Sequence, residues 1–278
     1  MKIETIDTGY FHADGGAMFG ATPKVAWSRR YPSDEANTCV LAMRSLLVTD
    51  IPGRVIVVDC GAGEKHLGQL SYYRFFDMKD LGEELRKRGI MPEQVTDVVL
   101  THLHFDHCGY VTLRDEATGN LRMAFPSATH WVSRPQWENF QHPGALEKDS
   151  YFMEDMQMVA DLGLLRLIGE DTELCPGVEL RLFDGHTPGQ IVPYFHMPSH
   201  SLVFAGDVIP LAASVSPLWI SAYDTYPVSS YSEKMRLLEE AARREQTIVY
   251  CHDAYTTSSK VKKVNDFFVA SRPVASED

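Results

Sequence analysis

The stretch VVLTHLHFDHCGY, from Val98 to Tyr110, sets His102, His104, Asp106 and His107 within six residues, directly after a run of β-branched and apolar residues. In an extended chain side chains alternate faces, so His102, His104 and Asp106 are expected on one side and His107 on the other flank of a bend. That arrangement suits two adjacent metal ions. Imidazole and carboxylate donors fit zinc, iron, manganese or cobalt, and the lack of thiolates here argues against a closed structural zinc knot. Ordinary hydrogen bonding explains a single histidine at a strand end, but four such groups crowded together are costly unless paired or metal-bound. The cluster reads as catalytic, with open coordination positions.

The elements that must aim these groups are legible as short runs rich in Val, Ile, Leu or Thr, bounded by Gly, Pro or Asp. TCVLAMRSLLVTD, RVIVVDCG, DVVLTH, ATHWVS, VELRLFDG, SLVFAGD and TIVYCHD are expected to be strands. Helical periodicity marks MKDLGEELRKRG, with Gly89 as its stop, SYFMEDMQMVADLGLL and YSEKMRLLEEAARREQ. A strand-rich first third followed by alternating helices and strands predicts a layered α/β or α+β fold. Polar, metal-capable residues recur at the carboxyl ends of the strands: VVD then CGAG, VVLT then HLHFDH, LFD then GHTPG, LVFAGD, and IVYCHD. Sheets of this class commonly bind ligands at that end, so five segments are expected to converge on one site.

HLHFDHCG resembles the H-x-H-x-D-H signature of the metallo-β-lactamase superfamily. The family's other marks follow in its order: Asp59 in VVDCGAG, His186 in DGHTPGQ, Asp207 in FAGDVIP and His252 in YCHD, so the likeness runs from about Asn37 to Asp253. It implies a four-layer αβ/βα sandwich with the site along one edge, over a single domain of residues 1–278. It also implies two zinc ions per chain, with iron, manganese or cobalt as alternatives. His102, His104 and His186 would hold the first ion and Asp106, His107 and His252 the second, Asp207 would bridge them, and Asp59 would brace the ligand loop without touching metal. Two such ions would lower the pKa of a shared water to about 7 or below, so that a bridging hydroxide would attack without a side-chain nucleophile. Asp106 and Asp207 are the catalytic carboxylates in this scheme.

Within the superfamily, the likeness is nearest to the N-acyl homoserine lactone lactonases and methyl parathion hydrolase-like enzymes. HLHFDH is similar to the lactonase version through Leu103 and Phe105, and DGGAMFGATPKVAW, Asp14 to Trp27, looks like a stretch shared across that group. Residues 1–36 are accordingly expected to form an N-terminal extension with a flexible glycine loop, bordering a substrate pocket or a dimer interface. Met18, Phe19, Phe105 and Tyr223 are the candidate pocket residues. Lactonases of the best-known type place a tyrosine shortly after the bridging aspartate, whereas DVIPLAAS puts Pro210 there, leaving Tyr223 as the candidate substitute. The expected activity is hydrolysis of a lactone or related ester, with aryl phosphotriesters as the alternative substrate. Nuclease, β-lactamase and non-catalytic metal-binding readings rank below these.

GHTPG departs from a G-x-S-x-G nucleophile elbow, and GAGEKHLG fits neither phosphate-loop spacing. His12, His66, His130, His142, His196 and His200 are read as ordinary histidines. A net charge of -12 disfavours nucleic acid as a partner, because no basic excess exists to meet a phosphate backbone. The acidic residues of MKIETIDTGY do not fit an export signal, and the best apolar run, VLAMRSLLV, is broken by Arg44, so a cytoplasmic protein without membrane partners is expected. Five scattered cysteines without a C-x-x-C pair are expected to be reduced and mostly buried. The final SRPVASED is expected to fray.

Overall fold

A computed structural model describes residues 1–115 and 117–271, which leaves all but Ser271 of the SRPVASED tail outside the described residues. The chain divides into two compact units, one comprising residues 1–11 and 42–170, the other residues 12–41 and 171–278. Residues 1–11 belong to the first unit and residues 12–36 to the second.

The first unit is built on a six-stranded sheet. Its strands are β1 (Lys2–Asp14), β2 (Thr38–Ile51), β3 (Arg54–Val58), β4 (Asp97–Val99), β7 (Thr129–Ser133) and β8 (Leu165–Ile168), adjacent in that order. A separate hairpin pairs β5 (Thr112–Arg114) with β6 (Leu121–Met123). β3, β4, β7 and β8 run parallel. β4 lies between two parallel neighbours and is buried along its whole length, which is why DVV is an apolar run without alternation after its first residue. Buried Asp97 is tolerated because Arg54 Nη1 at 2.8 Å, Trp131 Nε1 at 2.9 Å and Thr96 Oγ1 at 2.7 Å all reach its carboxylate.

Helix α3 (Leu81–Arg86) starts where Asp80 accepts the Glu83 N–H, and Gly89, at φ +77, closes it as expected. It begins later than the periodicity suggested, because Lys79 donates its N–H to the Thr8 carbonyl. α6 (Met153–Asp161) likewise stops short of Leu165, because Gly163 adopts φ +69 and Leu165 opens β8.

The second unit carries a seven-stranded sheet. β9 (Thr172–Cys175), β10 (Val178–Phe183), β11 (Gln190–His196), β12 (Ser201–Phe204), β13 (Thr247–Val249), β14 (Ser258–Val264) and β15 (Phe267–Ala270) lie side by side in chain order. Only the β12–β13 pair is parallel, and α7 (Pro227–Arg244) spans that crossover. α7 begins four residues before the apolar stripe predicted, since Pro227 supplies a preset φ and needs no N–H in the first turn. Its Leu237, Leu238 and Ala241 pack into a core with Phe183, Tyr194 and Phe204-flanking Val203 and Ala205.

All five cysteines are free and buried. Among the described residues, no helix is long and apolar enough to cross a membrane. His130, in β7, is fully buried, and burial depresses its pKa from 6.5 to about 4, with backbone groups of Ala128 and Leu164 offsetting only part of the shift. The unfolded chain then binds a proton that the native state refuses between those two values, so the native state loses stability as pH falls from about 6.5 toward 4. Relative to pH 8, this residue is expected to cost about 2 kcal/mol at pH 5. Denaturant unfolding of His130→Leu should show that increment missing; an acid dependence equal to that of the parent would refute it.

Candidate metal centre

In the first unit, the chain leaves β4 through Leu100 and Thr101 into the histidine cluster. His102 and His104 lie in a loop, and Phe105–Cys108 close into a single helical turn, α4. The expectation of one extended segment is corrected here: Asp106 and His107 stand on helical backbone because the His107 and Cys108 N–H groups both return to the His104 carbonyl. The cluster nonetheless stays together. The His102 ring centroid lies 4.5 Å from that of His104 and 4.0 Å from that of His107, and Asp106 Oδ2 is 3.7 Å from His107 Nε2.

Asp59, just after β3, organises this loop. Its Oδ1 accepts the Thr101 N–H at 2.7 Å, and its Oδ2 accepts Thr101 Oγ1 and faces His107 Nδ1, each at 2.8 Å. Because the Thr101 hydroxyl proton goes to Asp59, Thr101 Oγ1 is left to accept from His102 Nδ1 at 3.1 Å. His104 Nε2 faces Glu147 Oε2 at 3.4 Å. An acceptor-only carboxylate fixes the proton on the nitrogen that faces it, so the opposite ring nitrogen keeps its lone pair. The lone pairs consequently fall on Nε2 of His102 and His107 and on Nδ1 of His104. Gly109 closes the cluster, since a Cβ there would stand 2.2 Å from the Ala62 carbonyl oxygen.

In the second unit, three strand ends bring His186, Asp207 and His252 together. The loop after β10 is held by Glu233, whose carboxylate accepts the Asp184 and Gly185 N–H groups, and by Thr225, whose N–H and hydroxyl both reach the His186 carbonyl. Burial pushes the Glu233 carboxyl pKa up, against those two N–H donors. Gly185 is required there: a Cβ would sit 2.4 Å from Ser230 Cα. His186 Nδ1 faces Asp224 Oδ1 at 2.9 Å, which leaves the lone pair on Nε2, turned toward Asp207 Oδ2 at 3.3 Å. The other oxygen of Asp207 lies 3.1 Å from His252 Nε2 and accepts Cys251 Sγ at 3.2 Å. Asp207, Cys251 and His252 are grouped closely enough to hold one ion. A lone pair and a carboxylate oxygen in such proximity repel unless a cation, proton or metal, stands with them. The donor set therefore fits a divalent metal.

Residues 44–252 match the metallo-beta-lactamase superfamily, most of the chain. The chain belongs to that superfamily. It is 27% identical over 198 residues to an N-acyl homoserine lactonase, AiiB, of Agrobacterium fabrum, an alignment covering 68% of each protein. Other curated lactonases are matched over less, 58% of their length for that of Bacillus thuringiensis. Among solved structures, a "probable metal-dependent hydrolase" of Staphylococcus aureus superposes with a TM-score of 0.87 at 27% identity, over 98% of both chains. AidC, a dizinc quorum-quenching lactonase solved with a product, shares the fold at a TM-score of 0.77 and 18% identity, over 97% of this chain and 93% of that one. The protein is a metal-dependent hydrolase with the mixed α/β metallo-β-lactamase fold.

The remaining expected site residues are placed as follows. Asp14 accepts the Gly16 and Ala17 N–H groups and caps a short helix, α1 (Gly15–Phe19), so the superfamily member has no flexible glycine loop there. Met18 and Phe19 are buried; Phe19 stacks on Trp27 at 4.7 Å and meets Trp219 edge-on at 5.9 Å. Phe105 is buried against Tyr73 and Phe152, and Tyr223 is 41% exposed. Burial holds the Cys108 thiol well above its usual pKa, and its Sγ donates to the Leu103 carbonyl, as suits a small apolar filler. Sequence reasoning missed Glu147 and Asp224, the carboxylates behind His104 and His186. Both lie far along the chain from the histidines they face, in loops with no motif.

Asp59→Asn keeps the shape of the side chain and removes the charge shared by Thr101 and His107. Metal affinity, measured by chelator competition, is expected to fall by about 10–100-fold. An unchanged affinity would show that the loop holds its ligands without Asp59.

Proposed function

We propose that the two ligand sets act together as a dinuclear centre and that the protein is a zinc-dependent lactonase, opening N-acyl homoserine lactones or related cyclic esters. The observation that carries this reading is Asp207, whose two oxygens are turned to different histidines, Oδ2 to His186 and Oδ1 to His252. A carboxylate so divided suits a bridge between two ions. In this assignment His102, His104 and His186 serve the first ion, Asp106, His107 and His252 the second, and Asp59 braces the loop. The lactonase names of the curated relatives and the dizinc centre of AidC support the choice.

When bound, the ions supply Lewis acidity toward a substrate carbonyl and toward water. The chain's own residues do the rest. Asp207 and the fixed histidine tautomers hold the centre rigid, which spares reorganisation as charge develops on the substrate. Asp106 takes the proton of the attacking water at its carboxylate and returns it to the ring oxygen as the ester bond breaks, giving the hydroxy acid. Tyr223, 41% exposed, takes the substrate-contacting place that Pro210 cannot fill. The five free, buried cysteines support a reducing compartment, which we take to be the cytoplasm.

Proton release in weak buffer, with zinc-loaded protein against a panel of N-acyl homoserine lactones and simple γ- and δ-lactones, tests the substrate class. Ring opening that a chelator abolishes is the expected result, and chain-length preference would then map the pocket. Silence across the panel would sink the lactonase reading in favour of aryl phosphotriesters and aryl esters, as the Pro210 departure allows. Elemental analysis tests the centre itself: two metal ions per chain are expected, with both content and rate reduced in Asp207→Ala. No more than one ion under metal-replete conditions, with Asp207→Ala unaltered, would remove the dinuclear assignment.

A further inference from the structure

Behind His104 lies a buried polar network that none of the motifs announces. α5 (Arg134–Gln141), capped by the Ser133 hydroxyl on the Gln136 N–H, and the loop that follows it supply Gln136, Asn139, Glu147 and Tyr151. Glu147 Oε2 accepts the Tyr151 hydroxyl at 2.7 Å and Asn139 Nδ2 at 3.2 Å, and it faces His104 Nε2 at 3.4 Å. Asn139 Nδ2 also reaches Tyr151 Oη at 3.0 Å, and Gln136 Oε1 accepts the Leu103 N–H at 3.1 Å. The same segment thus grips the backbone before His104 and the ring of His104 itself. The Tyr151 ring lies 5.0 Å from the imidazole and limits its rotation.

Glu147 is 6% exposed, and a charged carboxylate there carries a desolvation cost that the facing Tyr151, Asn139 and His104 groups reduce. Such a charge would be wasted on holding a tyrosine, which an amide or a carbonyl would do as well. It has a use if His104 carries a cation's ligand field on its far nitrogen. In the proposed centre, the first ion's dedicated ligands are three neutral imidazoles, whereas the second ion has Asp106. Negative charge for the first ion must then come partly from behind its ligands.

We infer that Glu147 is a positioning residue for His104: it fixes the ring's proton on Nε2, raises the basicity of Nδ1, and selectively tightens the first metal ion. This inference rests on the dinuclear reading for which ion is affected, but not for the effect itself. Asp224 stands in the same relation to His186, at 2.9 Å, so Glu147 and Asp224 together would supply the outer charge of that ion.

The test is cobalt(II) titration of the metal-free full-length protein against a competing chelator, with the visible d–d absorption recorded at each step. Glu147→Gln is isosteric and keeps an acceptor for Tyr151. It is expected to weaken one of two cobalt-binding steps by about 10–100-fold and to shift that step's absorption, while the other step stays as in the parent. Tyr151→Phe breaks the Glu147–Tyr151 bond and spares the Glu147–His104 contact, so both steps should persist. Parental binding and absorption in Glu147→Gln would overturn the inference. So would an equal loss in Tyr151→Phe, which would mark Glu147 as mere scaffolding. A parent that binds a single cobalt ion would sink the dinuclear reading alone, because the Glu147→Gln shift would still be read on that ion.

Discussion

The carboxylate of Asp59 is the interaction on which the rest of the first unit's chemistry depends. It joins the end of β3 to the loop after β4 through Thr101, and by the same two oxygens it fixes His107 directly and His102 through the Thr101 hydroxyl. Two imidazole tautomers are thereby set by one side chain. The backbone gives something up for this. Asp59 adopts φ +51, a left-handed conformation that costs a non-glycine residue roughly 1 kcal/mol or more. The parallel register of Val58 with Val99, extended by the Asp59 N–H to the Val99 carbonyl at 2.9 Å, holds the residue there. The sheet's part in function is to place a strained, buried anion where a histidine loop must be pinned.

What could be read in the sequence was whatever is local. The strand ends were legible because β-branched runs terminate at Asp or Gly, and the metal-capable residues sit immediately after them. The helical turn at Phe105–Cys108 was not legible, because four residues carry no period and the turn is set by the His104 carbonyl capturing two N–H groups. β11 was hidden for a different reason. Pro193 interrupts an otherwise apolar QIVPYFH, and yet the strand pairs with β10 through Leu180 and with β12 beyond it. The second unit's aromatic packing overrode a glycine-rich stretch that looked mobile: with Phe19 against Trp27 and Trp219, DGGAMFG becomes a capped turn of helix.

The outer carboxylates were invisible for a physical reason that is general. A metal ligand must lie close to its neighbours, and short spacing is easy to produce along one strand end. A carboxylate that orients a ligand has to approach the imidazole from behind, on the side away from the ion. That space is filled by whichever element packs there, α5 and its loop for His104, and the segment before α7 for His186. Asp59 was readable only because it follows a strand in VVDCGAG, where the family resemblance carries an aspartate.

Charge bookkeeping then explains why these buried acids are compatible with a stable fold. Asp97 and Asp155 are also buried, and each has a cation within its first contacts: Arg54 for one, Lys65 at 3.0 Å for the other. Around the histidines, Asp59 and Glu147 lie against imidazoles, the Thr101 and Tyr151 hydroxyls and amide donors, and Asp207 lies against two imidazoles and the Cys251 thiol, while Asp224 faces an imidazole and feels the buried Lys234 ammonium. Hydrogen bonds from neutral donors soften the desolvation of a carboxylate but do not cancel its charge. Carboxylates arranged behind and between imidazoles are therefore at their most stable when a metal cation completes the set, and the free energy of metal binding becomes part of the free energy of folding. The same arrangement that prepares lone pairs for chemistry makes the loops that carry them dependent on the ions they hold.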